Sequence, residues 1–250
     1  MSERYDPITA RRLFLKYARK REHREKVERA LRLIERAERP LVLYSGGKDS
    51  SVVVHLTSRV HKNYLIFHWD YGETLMPRKY ELESLLMLAE LTALSDPLIV
   101  IAKRPQVHRA REDHRVGYRA FWGAVDRVIK GFGVESVISS LRAEESHKRK
   151  SMTKEDVRKD VGGKLTYHPI KDWSWIDVFA YLASHRLPWH SHYDRRAPLE
   201  GWDSVRFVTF FDREFEHLGS TTVDGVTIPW FRWVLNRING EKREEKDNFC

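Results

Sequence analysis

The string Leu43-Tyr44-Ser45-Gly46-Gly47-Lys48-Asp49-Ser50-Ser51 concentrates more chemistry than any other stretch of this chain. It follows a short apolar run and leads into Val53, Leu56 and Val60 at helical spacing, which places it at a strand-to-helix turn. Two glycines let the backbone turn tightly and approach a ligand, so the N–H groups at the helix start converge on one point. Such a nest suits phosphate oxygens. Ser45, Ser50 and Ser51 add hydroxyl donors, and Lys48 adds a point charge. Asp49 is a candidate Mg²⁺ ligand or an orienting carboxylate. The GxxxxGK[ST] spacing of Walker loops is absent.

Three later segments supply compatible groups. Asp70 and Gly72 close a second apolar run, with the carboxylate at what should be the same sheet edge. Arg142, Glu145, Ser146 and Arg149 follow a fourth run, and two guanidinium groups there offer planar forks to phosphate or sulfate oxygens. Asp172 and Trp173 read equally well as a turn carboxylate and a core indole. His190 and His192 form an HxH pair with no adjoining third ligand, and are read as loop histidines rather than a metal site.

The elements that must hold these groups alternate. Residues 8–38 read as one helix, with Val27, Ala30, Leu31 and Ile34 inward and Glu22/Lys26 and Glu25/Arg29 as i,i+4 pairs. Candidate strands are 41–44, 64–69, 97–102, 134–140 and 165–170. Between them lie an amphipathic helix with Leu82, Leu85, Leu86 and Ala89 on one face and another over roughly 117–130. Ser174 and Asp177 form a capping box that opens a helix burying Ile176, Phe179, Ala180 and Ala183. Residues 186–205 read as loop, and Pro229–Ile238 as a helix carrying Trp230, Phe231 and Trp233. Strands alternating with helices imply an α/β fold with a parallel sheet covered on both faces. Ligands of such sheets sit at the C-terminal strand ends, where every motif above falls. Three regions follow: a helical segment (1–40), a nucleotide-binding α/β domain (41–190) and a C-terminal extension with a charged tail (191–250).

The residue strings resemble a known family. SGGKDS resembles the PP-loop of ATP pyrophosphatases, which split nucleotides between the α- and β-phosphates. His68–Thr74 resembles the Asp-Thr-Gly segment of the phosphoadenylylsulfate (PAPS) reductase family, with Tyr71 at the middle position. Ser140–Arg149 is similar to its Gly-Leu-Arg-x-x-Glu-Ser-x-x-Arg motif, with Ser140 in place of glycine. Pro169–Val178 matches its Pro-x-x-Asp-Trp-x-x-x-Asp-Val signature, and Tyr193-Asp194-Arg195 is a fainter echo of Tyr-Asp-Arg-Gly.

The resemblance implies a Rossmann-like, adenine nucleotide α-hydrolase-like fold that uses ATP and Mg²⁺. It implies catalytic roles for Lys48, Asp49, Arg142 and Arg149. Nucleotide contacts are implied at Ser45, Gly46, Gly47, Ser50, Ser51, Asp70, Gly72, Glu145 and Ser146, with Asp49 also the metal ligand. Family reductases attack the sulfonate sulfur with a cysteine in Glu-Cys-Gly-x-His. That segment is missing here, and the single thiol is Cys250. Adenylation in sulfur metabolism, as in the ATP sulfurylase small subunit, is the leading expectation. Three alternatives stay open: DNA phosphorothioation or tRNA sulfur modification beside a cysteine desulfurase, PAPS reduction through Cys250, and a nucleotide- or nucleic-acid-binding module without turnover.

Composition bounds these expectations. The chain has 250 residues, 41% of them hydrophobic and 12% aromatic, enough for a core. No apolar run approaches the roughly 18 residues of a membrane span, and the charged N-terminus does not read as a secretory signal, so a cytoplasmic protein without membrane partners is expected. One cysteine is too few for a disulfide framework, a cysteine-ligated Fe–S cluster or a Cys-based zinc site. The net charge is +9, and residues 1–40, with 13 basic and 7 acidic side chains, contribute +6 of it. That balance suits nucleotides or nucleic acid, and equally a solvated surface. Oligomeric state stays open.

Overall fold

A computed structural model describes residues 3–72, 76–103, 110–159 and 163–207, the side chains of 110–118 excepted. The chain divides into two compact units, Met1–Phe207 and Val208–Cys250, and every element named below belongs to the first. Cys250, the aromatic cluster at 230–233 and the helix expected around it lie outside the described residues.

The apolar runs at Pro40–Tyr44 and Leu65–Asp70 become strands buried on both faces, as central parallel strands must be, while the run at Leu98–Lys103 leaves Leu98, Ile99 and Ile101 exposed. β1 (Pro40–Tyr44), β2 (Leu65–Asp70), β3 (Leu98–Lys103), β4 (Ser136–Ile138), β5 (Val157–Lys159) and β6 (Leu165–Tyr167) form one sheet in the order β3-β2-β1-β4-β6-β5. The neighbours β3-β2-β1-β4-β6 are parallel. β5 pairs antiparallel with β6, so the sheet is mixed at that edge rather than wholly parallel. The basic stretch that supplies β5 has no apolar period. It pairs as a short, half-exposed edge strand, where one face needs no apolar cover.

Strand order fixes the site. β1 is followed by α3 (Lys48–Val60) and β2 by α4 (Arg78–Leu91), moving outward to β3. α5 (Ala110–Gly131) then returns the chain to the other side of β1, where β4 begins. The order reverses between β1 and β4, which makes the gap beyond their C-terminal ends the topological switch point. α5 covers one sheet face, packing Ala124, Val125 and Val128 on Leu41, Phe67 and Trp69. α3 is buried from Ser50 to Ser58 on every side, enclosed by α2, α4 and α7 as well as β1.

Four expectations need correction. The N-terminal helix is two: α1 (Pro7–Ala18) and α2 (Arg21–Glu35), broken at Arg19-Lys20. Asp6 caps α1 by accepting from the Ile8 and Thr9 N–H groups at 3.0 Å. The bend lets α1 bury Ala10 and Phe14 on α7 (Trp175–Ser184) while α2 buries Ala30, Leu33 and Ile34 against α3; one straight helix could not do both.

The expected ion pairs on α2 are replaced by longer-range ones. Lys26 donates to Asp177 and Arg29 to Asp156 and Asp172, because a buried or clustered carboxylate gains more from a cation than an exposed glutamate does.

α4 turns a different face inward. Leu82 and Leu86 are 46% and 69% exposed, while Tyr80, Glu81, Ser84, Met87, Leu88 and Leu91 are buried. Polar Glu81 faces inward because His68 on β2 is its partner there, and Ser84 packs close against Gly46, with its carbonyl accepting from the Tyr44 hydroxyl at 2.8 Å.

Residues 186–205 are not all loop, since α8 spans Ser191–Glu200. His190 caps it by accepting from the His192 N–H at 3.2 Å. A further short helix, α6 (His147–Met152), follows a 3-10 turn at Ala143–Glu145. The Ser174–Asp177 capping box at the start of α7 is present as read from the sequence.

Candidate functional site

The loop after β1 has the geometry its two glycines permit. Gly46 takes φ +77°, a left-handed conformation in which a side chain is strained, and a Cβ there would collide with Ser84 Oγ. Gly47 is different. It has ordinary φ, caps α3, and a Cβ on it would lie in normal contact with its surroundings. The first N–H groups of a helix lack internal partners. Here the Lys48 N–H is met by the Tyr193 hydroxyl at 3.2 Å, so a phenol oxygen from α8 stands at the helix terminus that suits a phosphate oxygen.

The serines expected as phosphate donors divide. Ser50 and Ser51 hydroxyls donate to the Gly47 carbonyl at 2.9 and 3.0 Å, so they brace the turn. Ser45 is exposed, and its Oγ lies 3.1 Å from Ser50 Oγ. The loop is thus held from beneath by its own hydroxyls, with its outer surface left to Ser45.

Charge converges above it. Lys48 Nζ donates to Asp49 Oδ2 at 2.9 Å, and Arg142 Nε donates to Asp49 Oδ1 at 2.5 Å. Arg142 and Lys48 are fully buried. Burial pushes the Lys48 ammonium down to about 8, even though Asp49 acts against it. Burial alone would raise the Asp49 carboxyl; Arg142 and Lys48 more than offset this and hold it well below the usual carboxylate range.

Arg142 also donates through Nη1 to Glu144 and to the Trp173 carbonyl, each at 3.3 Å, while its Nη2 is buried without a hydrogen-bond partner among the described residues, 4.0 Å from Glu145 Oε1. An orphaned buried guanidinium nitrogen is costly unless an anion completes it. Glu145 bonds Arg149 and accepts from the Arg142 N–H. Ser146 caps α6 by accepting from the Arg149 N–H.

Among the expected site residues, Lys48, Asp49, Arg142, Glu145 and Arg149 therefore form one connected network beside Gly46 and Gly47. Asp70 does not join it: its carboxylate accepts from the Gly72 N–H at 2.8 Å and lies 3.8 Å from Arg78. Asp172 pairs with Arg29 on the surface, and Trp173 is buried.

Asp49 does not fit the expected metal role well. Each of its oxygens already faces a cation, which repels Mg²⁺, and no group of three His, Cys, Asp or Glu side chains suited to a metal occurs among the described residues. His190 and His192 are used structurally. His190 contacts Glu83 and stacks on Phe207, and His192 Nε2 lies 3.1 Å from the Arg206 carbonyl.

Sequence reasoning missed Ser84, Tyr193 and Phe207 as neighbours of the loop. Tyr193 carried a faint motif signal. Ser84 and Phe207 carried none, since both arrive through packing.

A glycine turn at the start of a buried helix, a lysine–aspartate–arginine network over it, and a switch point between β1 and β4 define a PP-loop nucleotide-binding α/β protein. A family model for the phosphoadenosine phosphosulfate reductase domain matches residues 39–223. The chain belongs to that family, in agreement with the resemblance carried by its motifs.

Among curated relatives, a phosphoadenosine 5'-phosphosulfate reductase of Alkalilimnicola ehrlichii is 25% identical over 160 residues, covering 58% of this chain and 61% of the relative. One from Synechococcus sp. is 29% identical over 83 residues, covering 33% and 34%. The matches thus span at most about three fifths of those relatives' length. Similar solved structures include a PAPS reductase from Candida auris in a phosphate complex (16% identity, TM-score 0.46, 78% of this chain and 94% of that one). Another is the Candida glabrata FMN adenylyltransferase with FAD and inorganic pyrophosphate (10% identity, TM-score 0.49, 74% and 66%). No helix among the described residues is long and apolar enough to cross a membrane.

Proposed function

We propose that this chain binds ATP over the Gly46–Lys48 turn and cleaves it between the α- and β-phosphates, activating an acceptor in sulfur metabolism. An acceptor oxygen adds to the α-phosphorus, the bond from that phosphorus to the bridging oxygen breaks, and pyrophosphate leaves with the electron pair. Negative charge then grows on oxygens that need fixed donors in a site from which water is excluded. The observation that carries the reading is Arg142 Nη2, buried without a hydrogen-bond partner among the described residues, with only the Glu145 carboxylate at 4.0 Å facing it. Lys48 supplies a second cation, and Asp49 holds both in place. Mg²⁺ would come with the triphosphate, held by phosphate oxygens and water, because both oxygens of Asp49 are engaged by cations.

The family and the names of its curated members favour a second reading, with PAPS itself as substrate. A thiolate, Cys250 in this chain, would attack the sulfonate sulfur, the sulfur–oxygen bond would break, and adenosine 3',5'-bisphosphate would leave.

One experiment separates the two. The protein is incubated with α-labelled ATP and a panel of sulfate, FMN, DNA and tRNA, and separately with PAPS and a dithiol. Acceptor-dependent pyrophosphate release supports adenylation, and the acceptor that stimulates it identifies the partner; DNA or tRNA would fit the basic charge balance. Sulfite release from PAPS that is lost in Cys250→Ser, without pyrophosphate from ATP, overturns adenylation in favour of reduction.

A further inference from the structure

The recognisable motifs end at Arg195, yet the backbone comes back to the phosphate loop beyond α8. Phe207 lies against the turn: its ring carbon would be 3.3 Å from a Cβ on Gly46, and its carbonyl 4.0 Å from one on Gly47. Two contacts from α8 hold this return in place. His192 Nε2 meets the Arg206 carbonyl at 3.1 Å, and His190, at the cap of the helix, stacks on Phe207 with ring centroids 4.1 Å apart.

Arg206 is therefore carried to the edge of the turn. Its Nη1 donates to the carbonyls of Asp203 and Val205 at 3.1 and 3.3 Å, which fixes the guanidinium by neutral groups alone among the described residues. Its Nε is fully buried with no hydrogen-bond partner among the described residues. Its charge is felt across the site, helping to keep the Lys48 ammonium and the Asp49 carboxyl below their ordinary values. Lys48 and Arg142 bond Asp49 directly, and Arg142 also meets Glu144 and Glu145. Arg206, by contrast, adds a cation with no carboxylate in ion-pair distance among the described residues, and an anion is what it lacks.

The geometry points to Arg206 as a further phosphate-binding residue, closing over the polyphosphate end of a nucleotide held at the Gly46–Lys48 turn. The inference rests on the reading above only in that the ligand is a nucleotide; it does not depend on which bond is cleaved. A guanidinium already oriented by its own turn and desolvated at Nε loses little freedom when it binds a phosphate oxygen.

Calorimetric titration of ATP, inorganic pyrophosphate and adenosine into the whole chain tests it, with wild type, Arg206→Gln and Arg206→Lys. Arg206→Gln should weaken ATP and pyrophosphate by at least about tenfold, the size expected for one charge-assisted bond. It should leave adenosine unchanged, and Arg206→Lys should recover part of the loss. ATP and pyrophosphate affinities within about twofold of wild type in Arg206→Gln, or an equal loss for adenosine, would overturn the assignment. If Arg206→Gln does not fold, Arg206→Lys decides by the same comparison of ATP with adenosine. Wild type that binds ATP and pyrophosphate but releases no pyrophosphate with any acceptor removes the adenylation reading and leaves Arg206 in place. Wild type that binds neither anion removes both.

Discussion

Arg142 Nε donates to Asp49 Oδ1 at 2.5 Å, joining residues 93 apart in the chain across the point where strand order reverses. Asp49 follows β1 and Arg142 follows β4, and the two strands are neighbours, so their C-terminal loops meet above the same sheet edge. The bond makes the turn after one strand depend on the loop after the other.

That dependence is measurable. A double-mutant cycle on Asp49→Asn and Arg142→Met should return a coupling of about 1–3 kcal/mol in unfolding free energy, since the pair is shielded from solvent and shares its partners. Each single change should be costly, up to about 3–5 kcal/mol, because it strands a buried charge. Additive single effects, within about 0.5 kcal/mol, would show that the two loops are independent.

The two glycines should separate stability from binding. Gly46→Ala forces a left-handed φ on alanine, at about 1–2 kcal/mol, and drives its Cβ into Ser84. Thermal unfolding should drop, and Ser84→Gly should restore the steric part but not the backbone part. Gly47→Ala has room and an ordinary φ, so its unfolding temperature should stay close to wild type while nucleotide affinity falls. Wild-type ATP affinity in Gly47→Ala would place the phosphates elsewhere.

Lys48 should make anion binding sensitive to mild alkali. Its ammonium is pushed by burial down to about 8, so it loses its charge where an ordinary lysine, at about 10.4, keeps it. ATP affinity should therefore fall as pH rises through about 8, by up to about tenfold per unit. Lys48→Gln should bind weakly with a flatter profile. The sign reverses for the ligand-free fold. The folded state prefers the neutral amine, so this group's contribution to stability rises between about pH 8 and 10.4. Affinity that is flat from pH 7 to 9.5 in wild type would remove Lys48 from the phosphate contacts.

Asp177 anchors α2 to the start of α7. It completes the capping box of α7 by accepting from the Ser174 N–H, lies 3.1 Å from His23 Nδ1 and accepts from Lys26 Nζ at 2.6 Å. Burial opposes its charge, yet the bonds from His23, Lys26 and Ser174 hold its carboxyl well below the usual range. A depressed folded pKa gives stability that is fully present above the unfolded value of about 3.9 and is lost as pH falls below it. Asp177→Asn should cost about 3 kcal/mol near neutrality and flatten the acid limb of a stability–pH curve. An unchanged acid limb would show that other carboxylates govern it.

Local signals were legible in the sequence wherever the interaction spans a few residues. The glycine turn, the apolar runs of β1, β2 and β3 and the Ser174–Asp177 capping box each rest on neighbours within one turn of chain, so residue order alone specifies them. The basic character of Arg142 and Arg149 was equally plain. Which partner each group would take was not. Lys26 and Arg29 leave their neighbouring glutamates for Asp177, Asp156 and Asp172. Glu81 turns inward because His68 waits there, which exposes Leu82 and Leu86. Arg206 reaches the phosphate turn only because α8 and Phe207 fold back over it. These pairings depend on the order of strands in the sheet and on the angles between helices. Those are set by burying many weakly specific apolar surfaces at once, so no short stretch of residues encodes them.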